Sequence, residues 1–184
     1  MDLVWPAAEH LPSYVRALEQ GWVPDTHRPA SAHDELARIA ADPARFVAEQ
    51  VDREGRGPPV VLPDGTTVPR LPGYKRWMWD GEFCGVIGVR WQPGTAELPP
   101  TCLGHVGYSV VPWRRRRGYA TRALALLLPA LRQEGLAHVD LTTDVDNVAS
   151  QRVIEANGGV LVERFHVPAS HGGAAALRYR IPLP

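Results

Sequence analysis

Apolar residues between Gly118 and Glu134 fall at Ala120, Ala123, Leu124, Leu127, Leu128 and Leu131, a single stripe of helical period. This spacing predicts an amphipathic helix ended by Gly135, kinked where Pro129 removes the bond to the Ala125 carbonyl. Apolar strands are predicted on either side, over His105–Val111 and Ala137–Thr143, and the helix crossing between them makes the two parallel. A further helix is expected over Val148–Asn157, closed by Gly158-Gly159, followed by a hairpin of Val160–Val167 with Leu177–Pro182. In the first half, Leu11–Gln20 reads as a helix, and residues 34–53 as a helical stretch broken at Pro43 with Asp42 capping the restart. A turn-rich segment follows, with Val60–Leu62 extended. Tyr74–Trp79 and Glu82–Trp91 then make two strands joined at Asp80-Gly81, a strong hairpin signal. The order predicts an α/β protein, a central mixed sheet with helices on both faces, in one domain spanning residues 1–184.

Chemistry concentrates in HVGYSVVPWRRRRGYA, residues 105–120. A strand runs through a basic turn into a helix opening at Gly118. Amides at a helix start have no partner within the helix, and the dipole adds positive charge there, so the corner suits a diphosphate. Gly118 lets an anion approach the backbone closely, and Ala120 keeps the next turn slim. Arg114 to Arg117 add four permanent charges, and phosphate contact from at least one of them is expected. A second cluster, LTTDVDNVASQRVIEANGG (residues 141–159), has a strand, a turn and a helix that Asn147 can cap, with Ser150 three residues on.

The pattern Arg115-x-x-Gly118-x-Ala120 resembles the acetyl-CoA signature of the GNAT superfamily of N-acyltransferases. Asn147-x-x-Ser150 and the Gly158-Gly159 ending resemble that family's second motif, and Asn147 follows Gly118 by 29 residues, room for one helix and one strand. The resemblance runs over residues 76–182; the first 70 residues carry no usable motif. It implies a sheet splayed between its two central parallel strands, with acetyl-CoA in the gap. Its diphosphate would lie on Arg115, Arg116, Arg117, Gly118, Tyr119 and Ala120, with Thr121 a further cofactor-binding residue. Val110 and Val111 would offer backbone groups to pantetheine and one N–H to the thioester carbonyl. Asn147 and Ser150 would contact the pantetheine arm or support the loop that does. No metal is implied. Where many family members carry a tyrosine to protonate the leaving thiolate, this chain has Ile154.

The implied activity is N-acetyl transfer from acetyl-CoA to a primary amine, by direct attack in a ternary complex; the acceptor is a small molecule or a peptide. An alkyl ammonium near pKa ~10.4 must lose a proton to attack, so a base is sought. His105 is the first candidate, set against a purely structural role in the sheet, and Glu82 the second, set against a solvated strand-start charge. Tyr108 is read as core, Tyr179 as a residue able to reach the cleft from the last strand. Trp77, Trp79 and Trp91 are read as core packing, and Trp113 as packed or beside adenine. A non-catalytic acyl-CoA sensor is the alternative, with Ile154 in its favour.

Composition narrows the partners. Twenty basic and twenty acidic residues balance to zero, so there is no global field for nucleic acid or an anionic membrane. RNA binding through Arg114–Arg117 lacks a second basic or aromatic platform. No apolar run approaches a bilayer span, MDLVWPAAEH is unlike a signal peptide, and Cys84 and Cys102 make neither a disulfide framework nor a metal site. A cytoplasmic protein is expected, and a homodimer is compatible with the sequence.

Overall fold

The structure is a computed structural model that describes residues 1–25 and 28–183. In chain order its elements are β1 (Asp2–Val4), α1 (Leu11–Glu19), α2 (Ser31–Ala41), α3 (Pro43–Ala48), β2 (Val51–Asp52), β3 (Val60–Val61), β4 (Thr67–Val68), β5 (Gly73–Trp79), β6 (Phe83–Arg90), β7 (Val106–Val110), α4 (Tyr119–Gln133), β8 (His138–Asp144), α5 (Val148–Glu155), β9 (Val160–His166) and β10 (Ala175–Pro182). Short 3₁₀ turns at Pro112–Arg114 and Ala169–His171 precede α4 and β10.

The strands form two principal sheets. One runs β1-β5-β6-β7, with β2 also on β5; the other runs β8-β10-β9, and β3 and β4 make a separate small hairpin. Every ladder among the described residues is antiparallel. The expected parallel pairing of the two central strands is therefore absent as a ladder. Among the described residues the only main-chain bond between the two at this seam runs from the His105 N–H to the Asp140 carbonyl, 2.7 Å, so the sheet parts there rather than continuing.

Helix α4 follows the predicted stripe. Ala123, Leu124, Leu127 and Leu131 are buried in a core that both sheets share, with Ile87 and Val89 from β6, Val139 and Leu141 from β8, and Leu177 and Tyr179 from β10. Pro129 leaves the helix continuous, because Pro129 and Ala125 both lie on the exposed side, where water can take the freed carbonyl. A second core covers the other face of the first sheet, where Leu11, Tyr14, Leu18, Trp22, Ile39 and Phe46 meet Trp77, Phe83 and Val86. Tyr14 stacks on Trp77 at 4.6 Å and 15°. The tryptophans of the hairpin thus serve packing, Trp91 against Tyr74 and Trp79 against His10.

Local signals mostly match the outcome. Asp42 accepts the Arg45 N–H and restarts the chain as α3. That helix stops at Ala48, short of residue 53, because Val51–Asp52 are taken up by pairing with β5. β1 was invisible in the pattern, since three residues gain their strand only from the distant partners Trp77, Met78 and Trp79. Gly104 passes close to β8: a Cβ there would stand 3.1 Å from the Asp140 carbonyl oxygen and 3.2 Å from the Thr142 nitrogen, a tight contact. No helix among the described residues is long and apolar enough to cross a membrane.

Leu124 is fully buried, so Leu124→Ala should cost about 3 kcal/mol by lost transfer energy and a residual cavity. Urea denaturation reads this; a loss below about 1 kcal/mol would contradict the assigned core.

Candidate active site

The corner after β7 keeps its main-chain donors free. Val111, extended before Pro112, leads into the 3₁₀ turn, whose bonds engage the Arg114 and Arg115 N–H groups. Among the described residues no protein acceptor meets the N–H groups of Arg116, Arg117, Gly118, Tyr119, Ala120 and Thr121; the first helical bond is donated by Arg122 to the Gly118 carbonyl. Arg116 (φ 60°) and Gly118 (φ 77°) both take the left-handed conformation. For the arginine this costs about 1 kcal/mol or more, a strain that often marks functional turns. Gly118 caps α4 with no side chain of its own, and the space where a Cβ would project is open.

The four arginines divide their work. Arg114 pairs with Glu82 at 2.6 Å, and Arg115 donates through Nε to the Val110 carbonyl at 3.1 Å. Arg116 and Arg117 are exposed, and Arg117 lines a shallow recess with Asp80, Gly118, Tyr119 and Arg122. Tyr119 gives this corner its foundation. Its ring is buried and its hydroxyl donates to Asp80 Oδ2 at 2.6 Å, which docks the tip of the β5–β6 hairpin under the start of α4. That bond to a carboxylate, together with burial, pushes the phenol up to about 12. Behind, Asn157 donates to the Thr121 carbonyl at 3.2 Å and ties α5 to α4.

β7 presents its outer edge to the gap. The Arg90 N–H reaches the His105 carbonyl and the Val111 N–H reaches the Cys84 carbonyl, so residues of odd number bond to β6. By the alternation of antiparallel pairs, the main-chain groups of Tyr108 and Val110 point the other way, into the gap. Of the two valines nominated from sequence, only Val110 has an N–H aimed there; that of Val111 is spent within the sheet. Ser109 on the opposite face accepts from the Trp22 indole at 3.0 Å, which anchors β7 to the N-terminal helices. Asn147 accepts the Ser150 N–H at 3.1 Å and caps α5. Ser150 in turn meets the Tyr108 hydroxyl at 2.8 Å.

His105 sits at the closed end of the seam and is fully buried. Its Nδ1 accepts the Asp140 N–H at 2.9 Å, which leaves the ring proton of the neutral imidazole on Nε2. Nε2 is buried without a partner among the described residues. Asp140 is held by a two-pronged pair with Arg180, 2.8 Å for each bond. Glu82 spends Oε1 on Arg114. Tyr179 is buried and directs its hydroxyl to Glu155 at 3.2 Å. Ile154 is core, 1% exposed. Sequence reasoning missed the Tyr108–Ser150 contact and the docking of Asp80 on Tyr119. Only the polar tip of each tyrosine hinted at them. Among the described residues no group of three or more His, Cys, Asp or Glu side chains gathers in a way that could hold a metal.

A two-lobed fold with donors bared at the first turn of α4 now has its counterpart among known proteins. The model of the acetyltransferase (GNAT) domain matches residues 3–160, so the chain belongs to that family. The match takes in the N-terminal segment that carries no readable motif. Solved structures of similar fold include the microcin C7 self-immunity acetyltransferase MccE in complex with acetyl-CoA and AMP, at 14% identity and TM-score 0.65, covering 98% of this chain and 91% of that one. RimL, the ribosomal L7/L12 α-N-protein acetyltransferase in complex with coenzyme A, matches at 13% identity and TM-score 0.61, covering 98% and 93%. A putative ribosomal-protein-serine acetyltransferase from Vibrio cholerae matches at 15% and 0.58, covering 98% and 92%. No curated protein matches the chain.

Burial pushes the His105 imidazole down from 6.5 to about 4, against the pull of the Asp140 carboxylate. The folded protein thus resists a proton that the unfolded chain accepts. The stability from a neutral His105 is complete above about pH 6.5 and is lost progressively toward pH 4, by about 3 kcal/mol at most. His105→Asn keeps an acceptor for the Asp140 N–H but cannot titrate, so it should lose less stability than the wild type over this window. Parallel pH–stability curves for the two proteins would contradict the assignment.

Proposed function

We propose that the protein is an acetyl-CoA-dependent N-acetyltransferase that moves the acetyl group to a primary amine by direct attack with both substrates bound. One observation carries this reading: six consecutive amides, 116–121, without acceptors among the described residues, beside a gap into which Val110 directs another. The backbone of 116–121 holds the diphosphate, with Arg116 and Arg117 as the side chains free to join it. The Val110 N–H faces the thioester carbonyl and stabilises the negative charge its oxygen gains as nitrogen attacks. Asn147 and Ser150 shape the far wall at the start of α5. Acetyl-CoA supplies the activated acyl group; the chain supplies position and fixed dipoles.

The two candidate bases differ in what the geometry leaves them. His105 offers its one lone pair to the Asp140 N–H and has no free basic nitrogen. Glu82 is bound to Arg114 beside the corner. We therefore assign the proton on the incoming amine to solvent at the open mouth of the gap, with the amine's own pKa governing the rate. For a chosen acceptor, log kcat/KM should rise with unit slope through pH 6.5 toward the amine pKa, and His105→Asn should leave the shape unchanged. A break near neutral pH that His105→Asn removes would restore His105 as the base.

Calorimetry with acetyl-CoA tests the corner itself. Gly118→Asp, which places a carboxylate in the anion site, should weaken binding by about 30-fold or more, ~2 kcal/mol, and Gly118→Asn by less, through bulk alone. Wild-type affinity in Gly118→Asp, with the fold intact by circular dichroism, would refute the assigned phosphate site. Thiol release with an amine panel separates the transferase from a silent acyl-CoA sensor.

A further inference from the structure

A second opening lies at the end of β7, on the side of the N-terminal helices. Gly21 (φ 88°) ends α1 and turns the chain so that Trp22 drops into the core, its indole donating to Ser109 Oγ at 3.0 Å. The Ser109 hydroxyl in turn donates to the Val23 carbonyl at 3.4 Å. Residues 21–23 are thereby tied to β7 one position before Val110. Gly21 and Val23 then line a recess of about 200 Å³ with Pro29, Pro112 and Arg115. Its walls hold no acidic side chain, and Arg115 is the one charged residue among them.

Arg115 also marks where the recess meets the gap. Its Nε donates at 3.1 Å to the carbonyl of Val110, whose main-chain groups point into the gap. Among the described residues no carboxylate pairs with its Nη1 or Nη2. Its own N–H is bonded to the Pro112 carbonyl, so it lends no amide to the anion corner. With Nε engaged, the two Nη atoms still make a planar fork that matches a carboxylate. Walls of valine and proline thin the water around that fork and strengthen its pull on an anion. Sites that enclose a whole small molecule run to ~300–1,000 Å³, so this recess has room for one end of an acceptor.

We propose that the recess anchors the acceptor, and that Arg115 selects primary amines that also carry a carboxylate. The proposal rests on the acetyl-transfer reading and adds to it the chemical class of the acceptor. The carboxylate lies against the Arg115 fork, and the amine reaches past Val110 to the acyl carbon. Amines with further positive charge are disfavoured by the same guanidinium.

The test uses the full-length protein with saturating acetyl-CoA and ω-amino carboxylates of increasing length. Each is compared with its own carboxamide, with concentrations counted as free amine. For the length that fits, KM should be about 3- to 10-fold lower for the carboxylate, as suits an exposed but forked ion pair, and the preference should shrink at high salt. Arg115→Gln should bring the ratio of the two KM values to about one; the ratio is blind to any loss that both acceptors share. Val23→Glu, which sets a carboxylate in the recess, should turn the ratio in favour of the carboxamide. Equal KM values in the wild type at every length overturn the proposal, as does a preference that survives Arg115→Gln. Should Arg115→Gln fail to fold, Val23→Glu decides by the same ratio. A wild type that turns over no amine overturns the acetyl-transfer reading and the proposal together; an active wild type indifferent to the carboxylate overturns the proposal alone.

Discussion

A backbone N–H needs an acceptor, and six successive ones at residues 116–121 find none among the described residues. Much of the surrounding structure serves to keep them in that condition. The left-handed turns at Arg116 and Gly118 bend the chain so that neither the 3₁₀ turn nor the helix can satisfy them. Tyr119, anchored on Asp80, stops the start of α4 from unwinding. Arg115 is tethered to the Val110 carbonyl and Arg114 to Glu82, so half of the arginine run braces the corner, while Arg116 and Arg117 stay exposed.

The corner would be of little use on a closed sheet. Among the described residues the two half-sheets meet at one main-chain bond, from the His105 N–H to the Asp140 carbonyl, reinforced by the imidazole Nδ1 on the Asp140 N–H and by Arg180 on the Asp140 carboxylate. Past that point β7 turns its free edge to the gap, and the next link across is made by a side chain, Tyr108 to Ser150. A histidine buried this way is a clasp. Its depressed pKa follows from its burial and speaks to stability against acid, whereas a base needs an accessible lone pair.

The sequence made the local devices plain: Asp42 and Asn147 as caps, the α4 stripe, the closing hairpin, and the Arg-Gly-Tyr-Ala corner. Each depends on residues within a turn or two of one another. What escaped was set by distant partners. The parting of the sheet is a matter of which distant main-chain groups meet, and β7 and β8 share no ladder. The engagement of the His105 lone pair depends on a residue 35 positions away. Tyr108 read as core because its ring does pack against the core, and only coordinates reveal where the hydroxyl ends.

The central claim is most directly tested by amide hydrogen exchange resolved by residue, with and without coenzyme A. The account predicts that coenzyme A slows exchange at residues 116–121 by tenfold or more, with a smaller effect at Val110, while the amide of Val111, already bonded to Cys84, is unaltered. Saturating coenzyme A that leaves 116–121 exchanging as in the free protein would contradict it.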